Sequence, residues 1–364
     1  MADSIKSIYN YELLHKVALD IQSVYSPFCV DDFLKSTMDE TWVDLELKDR
    51  IYRISTVLGK YLPSDYAAAI SVIDKVVMNY GTWLTGLGGF FPIFVEIYGQ
   101  DEMNWELSMG ALERYTPYAS SEIAVRPFII KHEERMMAQM YAWSKHENEC
   151  VRRLASEGCR PVLPWAPAIN SFKKDPAAIL PILSQLKEDS SIHVRKSVAN
   201  NLNDISKTHP DLVTKIAKAW YGKNEYTDRL VKHGCRTMLK KGNREVLAIF
   251  GYENTASVEV EGFALEAASV LIGQDIIFSF SVSVKEAAKI RLEYGIDYVK
   301  SNGKRNRKIF QISEISLKEN QKKPYTKKHS FADVSTRKHY PGIHSVTLIV
   351  NGTERVTLDF ELSV

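Results

Sequence analysis

A carboxylate stands beside a stiff, aromatic-bearing loop in residues 150–165, CVRRLASEGCRPVLPW. Helical spacing runs up to Gly158, where glycine commonly ends a helix, and the prolines that follow cannot continue it. We therefore expect Glu157 on the last helical turn, next to a loop that carries Trp165. Arg153 lies one turn before Glu157 and shares its helix face, so a solvated ion pair is the simplest explanation. A carboxylate, arginines and an aromatic ring at one edge suit a nucleic-acid site better than a plain scaffold.

A second acidic residue lies inside a predicted helix in residues 191–207, SIHVRKSVANNLNDISK. Aliphatic side chains at three- and four-residue spacing form its buried stripe, and Asp204 is expected off that stripe. Aspartate has poor helix propensity, and neighbouring asparagine and aspartate are a poor choice for a scaffold helix. Asn200, one turn earlier, could hydrogen-bond to Asp204, whereas a surface pair with Lys207 is the alternative explanation.

A third acidic residue, Glu122, lies in residues 120–128, SSEIAVRPF. Ser120 or Ser121 could cap a helix, with Glu122 in its first turn, where a negative charge compensates the helix dipole. Capping alone would explain this segment. Judged from its own residues, it is the weakest of the three acidic positions as a candidate site.

The part of the chain up to about residue 252 has the apolar periodicity of helices. Within it an apolar residue followed by arginine recurs at positions 125–126, 151–152 and 194–195. The distance between the last two copies falls in the period of about 40–47 residues that is typical of HEAT and armadillo helical pairs. Such pairs cannot bury their apolar faces alone, so they stack. We predict a mainly α protein whose residues 1–253 form a HEAT- or armadillo-like α-solenoid.

The period changes to two after about residue 255. Asn351 and Gly352 stand between two alternating segments, and this pair is the usual sequence of a type I′ hairpin turn. Short alternating strands rich in β-branched and aromatic residues predict a small all-β sandwich of immunoglobulin-like type over residues 256–364. Further predicted strands are residues 257–265, 275–284 and 288–300.

The bulk composition is that of a folded protein with balanced charges. The 364 residues carry a formal net charge of only +2, with 25% charged and 45% hydrophobic residues. A chain of this length is expected to form two domains. Because the net charge is small, any nucleic-acid surface would have to come from local clusters of lysine and arginine.

The sequence gives no reason to expect a metal, a cofactor or a membrane segment. The four cysteines form no C-x-x-C pair, so reduced thiols in a cytosolic protein are the simpler interpretation. The most apolar stretch, residues 81–98, contains glycines, a proline and Glu96, and predicts a buried helix and turn rather than a membrane span. The N-terminus lacks the apolar core of a signal peptide. We therefore expect a cytoplasmic protein.

Four segments of the helical part are specific when taken together: FVEIYG at 94–99, SSEIAVRPF at 120–128, VRRLASEG with the R-P-x-L-P-W run at 151–165, and VANNLNDISK at 198–207. They resemble the AlkC branch of the alkylpurine DNA glycosylases, a HEAT-like repeat family that also includes AlkD. The resemblance spans most of the helical part. The β-rich part also fits, because some AlkC-like members carry an immunoglobulin-like C-terminal domain.

The resemblance implies a role for particular residues. Glu157 and Asp204 match the catalytic carboxylates, and Glu122 joins them as a third catalytic acid at the lesion. Trp165 would contact the lesion or its deoxyribose, and cation–π attraction would favour a charged base. A tryptophan buried between repeats is the alternative. The implied protein is a hydrolase, a DNA glycosylase of base excision repair.

The implied substrate is a cationic N-alkylated base such as 3-methyladenine, with 3-methylcytosine as a second candidate. Such a base departs neutral, so its glycosidic bond is already weakened and little acid catalysis is needed. What remains is an oxocarbenium-like sugar and an attacking water, which nearby carboxylates would stabilise, orient or deprotonate. Two or three acids without a lysine nucleophile predict a monofunctional enzyme that leaves an abasic site and does not cut the strand.

Basic residues around the carboxylates predict a surface for double-stranded DNA containing alkylated bases. On a solenoid they would neutralise phosphates along the concave face, although one arginine per repeat also commonly bridges neighbouring helices. A predicted hairpin loop at 301–307 would contact the duplex from the other side, with a solvated surface as the alternative. We expect a monomer, associated with the bacterial nucleoid through DNA. The DNA-binding candidates are Arg126, Arg152, Arg153, Arg160, Lys173, Lys174, Arg195, Lys196, Lys304, Arg305 and Arg307.

Two other functions fit the predicted architecture. A solenoid with a β-sandwich could be a non-catalytic HEAT-repeat module that binds a protein, but the grouped carboxylates would then be unexplained. A non-catalytic sensor of DNA damage would show salt-dependent DNA binding. Release of free alkylated base from methylated DNA would distinguish the enzyme from both.

Overall fold

The computed structural model describes residues 6–80, 87–253, 257–334 and 337–364. The chain forms two compact units, one of the residues up to Thr208 together with Gly222–Gly234, and one of His209–Tyr221 with Cys235–Val364. The predicted boundary at residues 254–256 lies outside the described residues, so the domain ranges 1–253 and 256–364 stay predictions.

Helices dominate the described residues that precede the strands, as the periodicity predicts. Short 3₁₀ turns occur at Trp42–Asp44, Val77–Tyr80, Glu102–Asn104 and Ala177–Ile179. In chain order the α-helices are α1 (Tyr11–Val24), α2 (Val30–Thr37), α3 (Leu47–Tyr61), α4 (Tyr66–Val76), α5 (Phe90–Tyr98), α6 (Trp105–Tyr115), α7 (Val125–Lys131), α8 (Glu133–Trp143), α9 (Glu149–Gly158), α10 (Asn170–Lys174), α11 (Leu180–Leu186), α12 (Ile192–Ile205), α13 (Pro210–Trp220), α14 (Glu225–Gly234), α15 (Arg236–Lys240) and α16 (Arg244–Ile249).

Helix α9 contains Glu157 and helix α12 contains Asp204. Both helices begin at a side-chain cap. The side chain of Asn148 accepts a hydrogen bond from Cys150 N at the start of α9. The side chain of Ser191 accepts one from His193 N at the start of α12. Each cap satisfies a backbone donor that has no partner inside its own helix, and so fixes where the helix begins.

Helix α9 ends at Gly158, as the sequence predicts. A Cβ atom at this position would lie 2.6 Å from Val125 Cγ2 and 3.0 Å from Met140 Cε. The close approach of α7 and α8 therefore requires glycine here. The same glycine places Glu157 on the final turn of the helix.

Within the first unit the helices stack along the chain. Helix α9 packs against α8 and α12, and α12 packs against α14. Apolar side chains contribute to the contact, with Val151 and Leu154 of α9 and Val194 and Val198 of α12 all buried. Each helix thereby buries an apolar face that it could not bury alone, which is how helical repeats stabilise one another.

The apolar stretch at residues 81–98 contains helix α5. The predicted buried helix is confirmed over Phe90–Tyr98, whose first six residues are buried. Residues 81–86 of the stretch lie outside the described residues. In the described parts of the chain, no helix has both the length and the apolar character needed to cross a membrane.

The alternating segments form strands with nearly the predicted bounds. In chain order they are β1 (Val258–Leu265), β2 (Ser269–Leu271), β3 (Asp275–Val284), β4 (Ala288–Val299), β5 (Arg305–Leu317), β6 (Lys322–Ser330), β7 (Gly342–Val350) and β8 (Thr353–Ser363). Among the described residues, one sheet has the order β1-β3-β6 and the other the order β2-β8-β7-β4-β5. Strand β2 pairs parallel to β8, whereas the other neighbours are antiparallel.

The two sheets enclose one apolar core. Ile276 and Phe278 of β3 lie in the same buried cluster as Leu292 of β4 and Val346 and Leu348 of β7. Alternate residues of β3 are buried, which is the pattern of a strand with one face on the core. The predicted β-sandwich is therefore the architecture of the strands.

The predicted Asn-Gly turn joins β7 to β8. Asn351 has φ +47° and Gly352 has φ +71°, the positive values that a type I′ turn requires. Asn351 Oδ1 accepts a hydrogen bond of 2.7 Å from Arg291 N. A Cβ on Gly352 would lie 2.7 Å from Gly242 Cα, so this turn packs closely against the α15–α16 connection.

Candidate active site

Arg160 lies between two acidic candidates. Its Nη1 donates to Glu157 Oε1 at 2.5 Å, and its Nε donates to Asp204 Oδ2 at 2.8 Å. Lys207 Nζ donates to Asp204 Oδ1 at 2.9 Å. Arg160, Glu157 and Asp204 are all buried, whereas Lys207 is exposed. The structure therefore joins the end of α9 to α12 through one ion cluster.

The guanidinium of Arg160 stays charged inside this cluster. Burial lowers its pKa, but the charges of Glu157 and Asp204 more than offset that effect and hold the pKa above its ordinary value. Its Nη1 and Nε both donate to carboxylate oxygens, which offsets part of the cost of burying the charge. In the part of the chain that the structure describes, no group of three His, Cys, Asp or Glu side chains could hold a metal ion.

The third candidate, Glu122, reaches α9 through a different arginine. Arg153 Nη1 donates to Glu122 Oε2 at 2.6 Å, and Ser120 Oγ donates to the same oxygen at 2.7 Å. The alternative of a solvated i,i+4 pair between Arg153 and Glu157 is excluded, because Arg153 binds Glu122 and Glu157 binds Arg160. Glu122 thus belongs to a separate ion pair with Arg153 of α9, whereas Glu157 and Asp204 share the cluster around Arg160.

The expected local setting of Glu122 is corrected by the structure. Helix α7 begins at Val125, so Glu122 precedes the helix and does not lie in its first turn. Ser121 Oγ donates to Leu112 O at 2.9 Å, and Ser120 Oγ binds Glu122, so neither serine caps α7. Residues 122–124 form a turn, in which Val125 N donates to Ser121 O at 3.1 Å.

The expected setting of Asp204 is also corrected. Its side chain is buried, not off the apolar stripe as expected. Asn200 was proposed as the partner of Asp204. Its Oδ1 instead lies 3.4 Å from Nε2 of His233 on α14. The predicted pair with Lys207 is present, but its acidic member is held mainly by the buried Arg160.

Arg126 fastens the loop that follows α9. Its Nη1 donates to the carbonyls of Gly158 at 2.9 Å and Arg160 at 2.8 Å, and its Nε donates to Pro167 O at 2.8 Å. The side chain is fully buried, and burial lowers its pKa to about 10. Arg126 therefore has no surface for a phosphate, and its bonds instead fix both ends of the loop that carries Trp165.

Trp165 stands out on that loop in both exposure and backbone conformation. Its exposed fraction is 70%, so the alternative of a tryptophan buried between repeats is excluded. Its φ is +62°, a left-handed conformation that costs a bulky side chain roughly 1–3 kcal/mol. The surrounding structure therefore holds an apolar ring in water on a strained backbone.

The repeated arginines are used inside the helical unit. Arg152 Nε and Nη2 hold the two carboxylate oxygens of Asp189 at 2.6 and 3.0 Å. Arg195 Nη1 donates to the carbonyls of Asp189 and Ser190, and its guanidinium lies 4.3 Å from the centre of the Tyr226 ring. Together with Arg126, they favour the bridging explanation over direct phosphate contact.

The lysine candidates of the helical unit lie nearer to solvent. Lys173 Nζ is 3.4 Å from Asn170 Oδ1, and its side chain is half-buried. Lys174 on α10 and Lys196 on α12 are exposed. These lysines are more exposed than Arg126, which is buried, and are better placed for phosphate contact.

The predicted loop at 301–307 is shorter than expected. Lys300 N donates to Lys304 O at 2.9 Å, and Gly303 has φ +75°, which closes a tight turn between β4 and β5. Lys304 is exposed at the end of this turn. The loop assignment is wrong for the following arginines, because strand β5 already begins at residue 305.

Arg305 and Arg307 lie on strand β5 and bind its neighbours. Arg307 Nη2 is 2.7 Å from Asp297 Oδ2, and Arg307 Nη1 pairs with Glu354. Arg305 Nη1 donates to Ser345 Oγ at 2.8 Å. Both side chains therefore lie across the five-stranded sheet and do not project from a loop.

Sequence reasoning missed the bridging role of Arg160. It placed this residue among the DNA contacts, although its spacing of one turn from Glu157 was a usable signal. The bond to Asp204 gave no signal, since it joins residues 44 positions apart and depends on how α9 and α12 stack. Lys207 was recognised only as a surface partner, because the burial of Asp204 was not foreseen.

Two family models match separate parts of the chain. Residues 119–241 match the model described as DNA alkylation repair enzyme. Residues 259–364 match the model described as the C-terminal Ig-like domain of the uncharacterised protein YhaZ. The first match includes all three acidic candidates. The class is therefore a helical region of the DNA alkylation repair type followed by an Ig-like β domain.

Two relatives are similar over nearly the whole length. The uncharacterized protein YhaZ of Bacillus subtilis (strain 168) is 46% identical over 363 residues, which cover 100% of both chains. The solved structure of Pseudomonas fluorescens alkylpurine DNA glycosylase AlkC, bound to DNA containing an abasic site analog, is 35% identical with a TM-score of 0.94 and covers 99% of both chains. The chain belongs to the AlkC family of alkylpurine DNA glycosylases, as the sequence motifs indicate.

Proposed function

We propose that this chain is a DNA glycosylase that hydrolyses the N-glycosidic bond of cationic N-alkylated bases. 3-Methyladenine is the first candidate substrate and 3-methylcytosine the second. The observation that carries the proposal is the buried cluster in which Arg160 holds Glu157 and Asp204, in a chain of the AlkC family. The exposed ring of Trp165, on the loop anchored beside this cluster, supports it further.

The proposed reaction needs a stabilised sugar cation and a positioned water. When the N-glycosidic bond breaks, its electron pair goes to the alkylated base, which leaves neutral. The oxygen of water then bonds to C1′ of the oxocarbenium-like sugar, and the released proton goes to a carboxylate. The product is an abasic site, and nearby anions lower the barrier because positive charge develops on the sugar.

Glu157 and Asp204 are suited to different parts of this reaction. Glu157 Oε1 accepts from Arg160, and among the described residues no hydrogen-bond donor is paired with its Oε2. We therefore assign Glu157 to the attacking water. Asp204 receives Arg160 at one oxygen and Lys207 at the other, which suits a fixed negative charge near the sugar. Glu122, held by Arg153, would supply the third charge.

Trp165 is proposed to contact the lesion or its deoxyribose. An exposed indole ring stacks on any base, and its π face attracts a positively charged one. A positive charge on the base is the property that separates the proposed substrates from normal bases. The strained backbone at Trp165 supports a role in binding rather than in stability.

The proposed DNA surface follows the stacked helices, which we take to be a HEAT-like solenoid over residues 1–253. The immunoglobulin-like domain over residues 256–364 would add a second contact to the duplex. We expect a monomer that acts on DNA in the cytosol. Because Arg126, Arg152 and Arg195 are held within the fold, the phosphate contacts we now propose are Lys173, Lys174, Lys196 and Lys304.

The test is chromatography of the bases that the full chain releases from methylated duplex DNA. The expected product is free 3-methyladenine, with 3-methylcytosine released from DNA that carries that base. The strand should stay intact until it is heated in alkali, because the proposed reaction uses water and no amine nucleophile. DNA binding without base release by a folded chain would instead indicate a non-catalytic sensor.

A further inference from the structure

Asn201 links the two segments that carry Glu157 and Asp204. It lies on α12, one turn before Asp204, and its side chain is fully buried. Its Nδ2 donates to Ser156 O at 3.0 Å and lies 3.5 Å from Cys159 Sγ. Ser156 and Cys159 lie on either side of Glu157 in the sequence. A single amide group therefore connects α12 to the last turn of α9.

The amide group of Asn201 acts through its donor. Among the described residues, no hydrogen-bond donor reaches its buried Oδ1 atom. An unsatisfied buried polar atom costs on the order of 1–3 kcal/mol, yet an apolar side chain of the same shape would take this donor away from the carbonyl of the buried Ser156. The unpaired oxygen therefore accompanies the bond that Nδ2 makes to the last turn of α9.

A second polar bond joins the same residue of α9 to a residue of α12 that lies one turn farther from Asp204. Ser156 Oγ donates to Ser197 Oγ at 2.7 Å, and both side chains are buried. Ser197 lies about two turns before Asp204 on α12, whereas Asn201 lies one turn before it. Ser197 thus offers a matched comparison, because it makes a buried bond between the same helices from a position one turn farther from Asp204.

We propose that Asn201 is a positioning residue that sets the separation between Glu157 and Asp204. Without its bond, the last turn of α9 would shift more easily against α12, and Arg160 would hold the two carboxylates in a less uniform geometry. A misplacement of about 1 Å in catalytic groups can cost roughly 100-fold in rate. This inference rests on the proposed function, since the acids it positions are the proposed catalytic ones.

The test compares Asn201→Leu with Ser197→Ala in the full chain. Single-turnover release of 3-methyladenine is measured at saturating enzyme, together with the affinity for duplex DNA that contains an abasic-site analogue. We expect Asn201→Leu to lose roughly 10- to 100-fold in rate while its DNA affinity stays within about threefold. Ser197→Ala should stay within about threefold in both. Asn201→Ser, which is polar but too short to reach Ser156, is the second variant if leucine unfolds the chain.

The outcomes separate this inference from the proposed function. If the wild-type chain releases no base, the proposed function is overturned and the inference falls with it. If the wild type is active and Asn201→Leu matches Ser197→Ala in rate, the inference alone is overturned. A parallel loss of DNA affinity and rate in Asn201→Leu would also overturn it, because that result indicates general disruption of the helices.

Discussion

Arg160 and Asp204 form a buried ion pair, with Nε 2.8 Å from Oδ2, although 44 positions separate them in the sequence. The same guanidinium holds Glu157, so one cation faces two buried acids. Both acids come from segments that meet only because α9 stacks on α12. The fold therefore brings the acidic cluster together through an arginine, and removal of that arginine leaves two carboxylates buried beside each other.

Replacement of Arg160 by alanine is expected to destabilise the helical unit. Breaking a buried ion pair by removing one partner costs about 3–5 kcal/mol. Here Glu157 would lose the partner of its Oε1, while Asp204 would keep Lys207. Urea unfolding followed by circular dichroism measures the loss. The triple variant Glu157→Gln, Arg160→Ala, Asp204→Asn is the control and should recover most of it, because no buried charge remains. A loss below about 1 kcal/mol for the alanine variant would show that the cluster contributes little.

Trp165→Gly is expected to separate activity from stability. Glycine adopts the left-handed backbone without strain, which stabilises the folded chain, but its greater freedom stabilises the unfolded chain. Because these effects offset each other, the free energy of unfolding should change by less than about 1 kcal/mol. Base release should fall roughly 10-fold or more, because stacking on a base is worth about 1–3 kcal/mol. Trp165→Phe, which keeps a ring, should retain most of the activity. Unchanged base release in the glycine variant would remove Trp165 from the site.

The salt dependence of DNA binding should distinguish Lys196 from Arg126. Each phosphate contact contributes about one unit to the slope of log K against log salt concentration. Lys196→Ala should therefore reduce that slope by about one, whereas Arg126→Lys should leave it unchanged and lower the melting temperature, because Arg126 is buried against backbone carbonyls. Fluorescence anisotropy with a short duplex measures both slopes. A reduced slope for Arg126→Lys would mean that this residue contacts phosphate after all.

Acid should destabilise the β-sandwich through His329. Its ring nitrogens contact the hydroxyls of Tyr294 at 2.9 Å and Tyr298 at 2.6 Å, and thereby join β6 to β4 of the other sheet. Burial lowers its pKa from 6.5 to about 4. Between these values the unfolded chain binds a proton that the folded chain does not, so stability that is present above pH 6.5 is lost as the pH falls toward 4.

The measurement for His329 is urea unfolding at pH 7.5 and pH 5, followed by near-ultraviolet circular dichroism. The wild type should be less stable at pH 5 by about 1–2 kcal/mol from this group. Burial also lowers the pKa values of His339 and His344, which act in the same direction. His329→Gln should reduce the difference between the two pH values without abolishing it. An equal difference in the variant and the wild type would exclude His329 as a source.

Local patterns predicted the elements of the fold, because each depends on residues close in sequence. The helix end at Gly158 follows from glycine and the prolines after it, and the Asn351-Gly352 turn follows from a backbone preference. The strands follow from strict alternation. Glu122 is the local failure, since a serine and an acid before an apolar run match a capping pattern, but the two serines bind other groups.

The geometry of the site could not be predicted, because it depends on tertiary stacking. The sequence pattern of an apolar residue followed by arginine is the same whether the arginine faces solvent or a neighbouring loop. Only the structure shows that Arg126 is buried and donates to three carbonyls. The bond of Arg160 to Asp204 likewise requires the register of α9 against α12. The family motifs identified the acidic residues, whereas their partners came from the structure.

Single-turnover release of 3-methyladenine tests the central claim most directly. Methylated duplex DNA is incubated with excess wild type, Glu157→Gln or Asp204→Asn, and the affinity of each protein for abasic-site DNA is measured in parallel. We predict a loss of about 100-fold or more in rate for each variant at nearly unchanged affinity, because each removes a charge from the developing sugar cation or its water. Release by both variants within about threefold of the wild-type rate would contradict the claim that this cluster performs the reaction.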